Sequence, residues 1–170
     1  MSENSDINDL GTAPVKRGGG VYLIVSGDPE NCEKLLYYVM RLAQKNDAYI
    51  GIIHATQLPE YQHWSNVEEQ IKSELRAQAE EEVYGLAQRI TEHMNNKPVF
   101  YFCEGDLTAE IIKTVKADKT IVSLFLSGRS TNARQEELIK YFVGKGMDQL
   151  DVPLTVIPEH LGLTALDELF

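Results

Sequence analysis

The stretch Val21-Tyr22-Leu23-Ile24-Val25-Ser26-Gly27-Asp28-Pro29-Glu30 decides the fold. Its first half is a short, β-branched, apolar run entered from Gly18-Gly19-Gly20 and left through Gly27, which reads as a buried strand. Its second half is helix-start chemistry. Asp28 is a natural N-cap, Pro29 a natural first helical residue, and Glu30 suits the positive end of the helix dipole. The helix is expected to run to about Asn46, with Cys32, Leu35, Leu36, Val39, Leu42 and Ala43 recurring on one face at the 3.6-residue period.

The same strand-then-helix unit recurs outward from there. Ala48 to His54 reads as a second strand, and Ala55 to Asn66 as a loop holding Pro59, His63 and Trp64. From Val67 a long helix is predicted, its apolar stripe being Val67, Ile71, Leu75, Ala79, Val83, Leu86, Ile90 and Met94. Its glutamates at 68, 69, 74, 80, 81 and 82 are expected to face water. Asn95-Asn96-Lys97-Pro98 stops it. Val99 to Cys103 is strand three, and Asp106 or Thr108 caps a short helix through Lys116. Thr120 to Leu126 is strand four, Ala133 to Gly144 a helix, and Leu154 to Ile157 strand five between Pro153 and Pro158. Five apolar strands alternating with four helices predict an α/β fold, an open five-stranded parallel sheet with helices on both faces. Near-continuous apolar strands agree, because such a sheet is covered on both sides.

The chain of 170 residues is long enough for one ordinary core. Sixteen Lys and Arg against twenty-six Asp and Glu give a formal charge of −10. That balance repels a phosphate backbone or an anionic bilayer, so nucleic-acid and membrane partners are not expected. Cys32 and Cys103 lie far apart and form no zinc or disulfide pattern; both read as small buried hydrophobes. The opening, with Glu3, Asp6 and Asp9, has no apolar core of a secretory signal, and no apolar run approaches the roughly 20 residues that span a bilayer. A cytoplasmic location is expected. Residues 1–20 read as a flexible tail, residues 21–158 as the α/β domain, and 159–170 as an apolar tail. In that last segment Leu163, Leu166, Leu169 and Phe170 fall at helical spacing, which suits packing on the chain's own body or joining of subunits.

Open α/β sheets bind ligands beyond the carboxyl ends of their strands, where strand order reverses. The loop after strand one belongs to that crevice, and its partner is the loop after strand three or strand four. Strand four is preferred, because Ser127-Gly128-Arg129-Ser130 offers a glycine, two hydroxyls, a guanidinium and a following helix N-terminus. With Ser26-Gly27-Asp28 this set suits a phosphate, and it suits plain helix capping equally well. Other chemistries fail at named positions. Ser26 and Cys103-Glu104 stand where a phospho-receiver needs carboxylates, and no G-x-G-x-x-G, P-loop or G-x-S-x-G motif is present. His54, His63, His93 and His160 show no metal spacing, and His54 is expected to be a hydrogen-bonded structural residue. No catalytic constellation and no metal site emerge.

Five segments in order resemble the universal stress proteins over about residues 21–158. They are the first strand with Gly27, Ile52-Ile53-His54-Ala55, the long charged second helix, Glu104-Gly105-Asp106 with Ala109-Glu110-Ile111-Ile112, and Pro153-Leu154-Thr155-Val156-Ile157-Pro158. The resemblance implies strand order 3-2-1-4-5, homodimers often paired through strand five, a cytoplasmic stress-associated role, and ATP or AMP in some members. Nucleotide-binding members carry G-x-x-G, a spacer and G-[ST] after strand four. Here Gly128 stands alone, Lys140-Tyr141 occupies the expected G-[ST] position, Gly144 and Gly146 come too late, and Ser26 replaces the usual Asp. Backbone approach to a triphosphate depends on those glycines, so nucleotide binding is expected to be altered or lost. Two functions are carried forward: a non-enzymatic homodimer acting through protein contacts, and an adenine-nucleotide binder with slow ATP hydrolysis as a variant. In the second, Ser26, Gly27 and Asp28 flank the ligand, Ala55 lies against the base, and Gly128, Arg129 and Ser130 meet the phosphates.

Overall fold

Each apolar run quoted above becomes a strand, and all five strands point the same way. The computed structural model describes residues 19–57, 65–128 and 133–170. Strands β1 (Val21–Val25), β2 (Tyr49–Thr56), β3 (Val99–Glu104), β4 (Ile121–Gly128) and β5 (Leu154–Pro158) form one parallel sheet in the order β3-β2-β1-β4-β5. The expected order is therefore the observed one. The helices are α1 (Glu33–Asn46), α2 (Ser65–His93), α3 (Leu107–Ala117), α4 (Ala133–Val143) and a short α5 (Leu163–Asp167).

Alternation along the strands sends side chains to two separate cores. Tyr22, Ile24, Ile50, Ile52 and Phe125 meet Leu35, Leu36 and Val39 of α1 and Val83, Leu86 and Ile90 of α2. Val21, Leu23, Val25, Ile53, Leu124 and Leu126 meet Ile111 and Val115 of α3 and Leu138 and Phe142 of α4. Burial on both faces is what makes the strand sequences apolar throughout.

Local signals account for most boundaries. Asp28 accepts the Glu30 N–H at 3.0 Å and opens a 3₁₀ turn over Pro29–Cys32 that leads into α1. Asp106, rather than Thr108, caps α3 by accepting the Ala109 N–H at 3.0 Å. Helix α1 ends where Asp47 takes a left-handed conformation at φ 50°.

Four expectations need correction. Strand β2 continues through Ala55 and Thr56, so Ala55 is a strand residue. Strand β4 likewise continues through Ser127 and Gly128, because Gly128 pairs with Pro158 of β5, which is itself in the strand. Cys103 is half-buried rather than buried. Glu82 does not join the exposed Glu69, Glu74, Glu80 and Glu81 in water; it turns inward at the carboxyl end of the sheet, toward His54 and Arg134. At the amino end, Gly19 and Gly20 are tied into the fold, Gly19 donating to Asp47 O and Gly20 accepting from the Tyr49 N–H. Residues 1–18, with Lys16 and Arg17, lie outside the described residues, as do Pro59, His63, Trp64, Arg129 and Ser130.

Candidate functional site

The strand order places the carboxyl ends of β1 and β4 side by side, with their following helices on opposite faces. This is the reversal point expected to form a crevice. Ser26, Gly27 and Asp28 leave β1 there, and Ser127 and Gly128 close β4 beside them.

The described polar groups of this crevice are largely bonded to one another. Glu159, the residue after β5, sets its carboxylate on the first turn of α1: Oε2 accepts the Lys34 N–H at 3.0 Å and Oε1 the Leu35 N–H at 3.1 Å. Oε1 also accepts the Ser127 hydroxyl at 2.9 Å, and the Ser127 N–H donates to Gln135 Oε1 at 3.1 Å. A carboxylate at a helix N-terminus satisfies the same unpaired donors that a phosphate would use. Asp28 holds the preceding 3₁₀ turn in the same way. Gly128 owes its lack of a side chain to sheet packing, since a Cβ there would lie 3.1 Å from Val156 Cγ1. Gly27 meets no such constraint, as nothing lies within 4 Å of a Cβ built on it.

Cys32 sits beneath this network, its thiol donating to Asp28 O at 3.3 Å. Burial, reinforced by Glu159 and Asp28, pushes the thiol up to about 12, so it stays protonated and unreactive.

Next to the crevice, at the carboxyl end of β2, lies a cleft of about 370 Å³ lined by residues including His54, Ala55, Glu82, Asp106, Arg134 and Glu137. Ser26 Oγ and His54 Nδ1 share a hydrogen bond of 2.6 Å, both residues being buried. Glu82 Oε2 stands 3.9 Å from the same ring nitrogen and 4.0 Å from Arg134 Nη1. That oxygen is buried and has no hydrogen-bond partner among the described residues. Burial lowers the His54 pKa from its ordinary value; Glu82 opposes the shift and Arg134 adds to it. The imidazole is thus neutral at pH 7. The described lining carries Glu82, Asp106 and Glu137 against the single cation Arg134, which leaves it net acidic.

The structure therefore brings Ser26, Gly27, Asp28 and Gly128 to one crevice and Ala55 to the adjoining cleft. Four participants escaped sequence reasoning, among them Arg134, one residue into a helix whose start carries no other mark. Glu82 sits in a run of glutamates that differ in nothing but helical phase; its place one turn from Ala79 on the buried stripe was the available signal. Glu159 and Gln135 act across the fold, and no local pattern marks them. Among the described residues, no group of three His, Cys, Asp or Glu side chains could hold a metal ion. Nor is any described helix long and apolar enough to cross a membrane.

This is an all-parallel, doubly wound α/β protein with its crevice between the first and fourth strands. Solved structures of universal stress proteins share this fold. UspA from Lactobacillus plantarum superposes with a TM-score of 0.63 at 14% identity, covering 81% of this chain and 97% of that one. A family member from Burkholderia pseudomallei gives 0.60 at 11%, over 82% and 96%. One from Archaeoglobus fulgidus, solved in complex with dAMP, gives 0.52 at 11%, over 81% and 96%. No protein-family model matches the chain, and no curated protein matches it in sequence. The chain is a divergent protein with the universal stress protein fold.

Proposed function

We propose that this protein is a non-enzymatic module of the universal stress type, a cytoplasmic homodimer that serves a regulatory, stress-associated role through protein contacts. The observation that carries this reading is the Glu159 carboxylate, which fills the α1 N-terminus and ties down the buried Ser127 near the end of β4. Among the described residues, the Lys34, Leu35 and Ser127 N–H groups, which could otherwise meet a nucleotide's phosphates, are spent on the chain's own oxygens. Net-acidic lining of the adjoining cleft disfavours a polyanion further. The Ser26–His54–Glu82 group also lacks the layout of a nucleophile relay, in which hydroxyl and carboxylate engage opposite nitrogens of the imidazole. Here Ser26 and Glu82 both approach Nδ1, and Ser26 is 2% exposed.

A second reading, binding of an AMP-type nucleotide, is favoured by the cleft itself. It opens at the carboxyl end of β2, and Ala55 and Arg134 line it. The Archaeoglobus relative of the same fold was solved with dAMP. In this reading Ser26, Gly27, Asp28, Gly128, Arg129 and Ser130 surround the ligand.

Mass spectrometry of the small molecules released on denaturing purified protein separates the two, with light scattering for the assembly state. The first reading expects a dimer that releases no nucleotide. Stoichiometric release of an adenine nucleotide would replace it with the second.

A further inference from the structure

The strongest unassigned feature lies at the opposite edge of the sheet from β5. The N–H of Gly105 donates to Thr56 O at 3.0 Å, which fixes the direction of the β2–β3 ladder. By the alternation of a parallel pair, residues 99, 101, 103 and 105 face β2, and Phe100, Phe102 and Glu104 turn their N–H and C=O groups outward. Among the described residues no strand pairs with that edge. The other edge is guarded differently, for Pro158 stands at an outward position of β5 and removes a donor there.

The same residues of β3 carry an apolar surface. Phe102 is 62% exposed, Tyr84 of α2 is 68% exposed, and the Phe100 and Phe102 rings stack with centroids 6.1 Å apart. With Val83 and Ala87 they line a groove of about 570 Å³ between α2 and the edge. Glu80 and Glu81 belong to its lining, and Glu80 and Phe102 are shared with a separate cavity lined also by Lys72, Arg76 and Glu104.

We infer that the outer edge of β3 and this groove receive an extended segment of another protein. The segment adds antiparallel as a sixth strand, placing apolar side chains against Phe102 and Tyr84 and Lys or Arg beside Glu80 and Glu81. Main-chain bonds to an open edge supply affinity, and alternate side chains supply selectivity. Charge selects this occupant over a second copy. Self-pairing about a dyad on β3 would gather the glutamates of both grooves, on chains that each carry −10. The inference rests on the protein-contact reading above, and it fails separately: a partner docked elsewhere leaves that reading standing.

The test uses the full chain and a fluorescein-labelled peptide, KTVTVTK, read by anisotropy. Saturable binding is expected, weakened at least tenfold by N-methylation of both valines, which removes the pairing N–H groups. The variant Phe102→Ser, whose thermal melt should match the parent because Phe102 is exposed, is expected to weaken binding similarly, and ETVTVTE should not bind. Absence of saturable binding, equal binding of the N-methylated peptide, or indifference to Phe102→Ser would overturn the inference. So would a dimer that Phe102→Ser dissociates, since the occupant would then be a second copy. Dimers unaffected by Phe102→Ser, alongside peptide binding, support it.

Discussion

The carboxylate of Glu159 accepts the Leu35 N–H at 3.1 Å across 124 residues of chain. This contact joins the end of β5 to the start of α1, and with Ser127 it locks three segments at the reversal point of the sheet. Glu159→Ala should lower stability by about 1–2 kcal/mol, the loss of a helix-capping carboxylate and its charged hydrogen bonds. Urea unfolding measures this; an unchanged midpoint would mean that water replaces the carboxylate without cost.

His54 ties stability to pH. Its pKa is lowered in the fold, chiefly by burial, so the unfolded chain binds its proton more readily than the native one. The sign follows from linkage: the stability associated with His54 is complete above the ordinary imidazole value of 6.5 and is lost as pH falls below it toward the lowered folded value. Comparing urea midpoints at neutral and mildly acidic pH, the parent should lose more stability on acidification than His54→Gln. Parallel losses would show that other groups carry the acid sensitivity.

The parallel sheet was legible because apolar segments alternate with helix-start chemistry, and because a sheet buried on both faces leaves its strands largely apolar. Its strand order came from the resemblance to the universal stress proteins, and the choice of β4 beside β1 at the crevice from the chemistry of Ser127-Gly128-Arg129-Ser130. What stayed hidden is physically different in kind. Ser127 and Gly128 read as loop residues since Ser-Gly is turn chemistry, but pairing of Gly128 with Pro158 keeps them in β4. Glu82 is distinguished from Glu81 by about 100° of helical rotation and by an imidazole from another element. The Glu159 contact depends on where β5 ends relative to α1, a relation absent from any local window.

Gly128 separates the strand role from a ligand role. A Cβ there would crowd Val156 Cγ1 at 3.1 Å, so Gly128→Ala should cost about 1 kcal/mol through the β4–β5 contact. Thermal unfolding of the ligand-free protein reads it. Full retention of stability would return Gly128 to the ligand reading, where its freedom would serve a close backbone approach.

The C-terminal segment folds back on α1. Leu166 is 1% exposed, Asp167 accepts the Tyr37 hydroxyl and pairs with Arg41 at 3.7 Å, and Phe170 lies 5.3 Å from the Tyr38 ring. Leu166→Ala should therefore cost about 2–4 kcal/mol, as for other buried leucines. A negligible change in the urea midpoint would detach this segment from the core.

Isothermal titration of ATP into the purified protein tests the central claim most directly. A crevice in which Glu159 and Gln135 hold the Lys34, Leu35 and Ser127 N–H groups yields no saturable heat beyond dilution. A saturable isotherm approaching one ATP per chain would contradict the account and make this a nucleotide-binding protein.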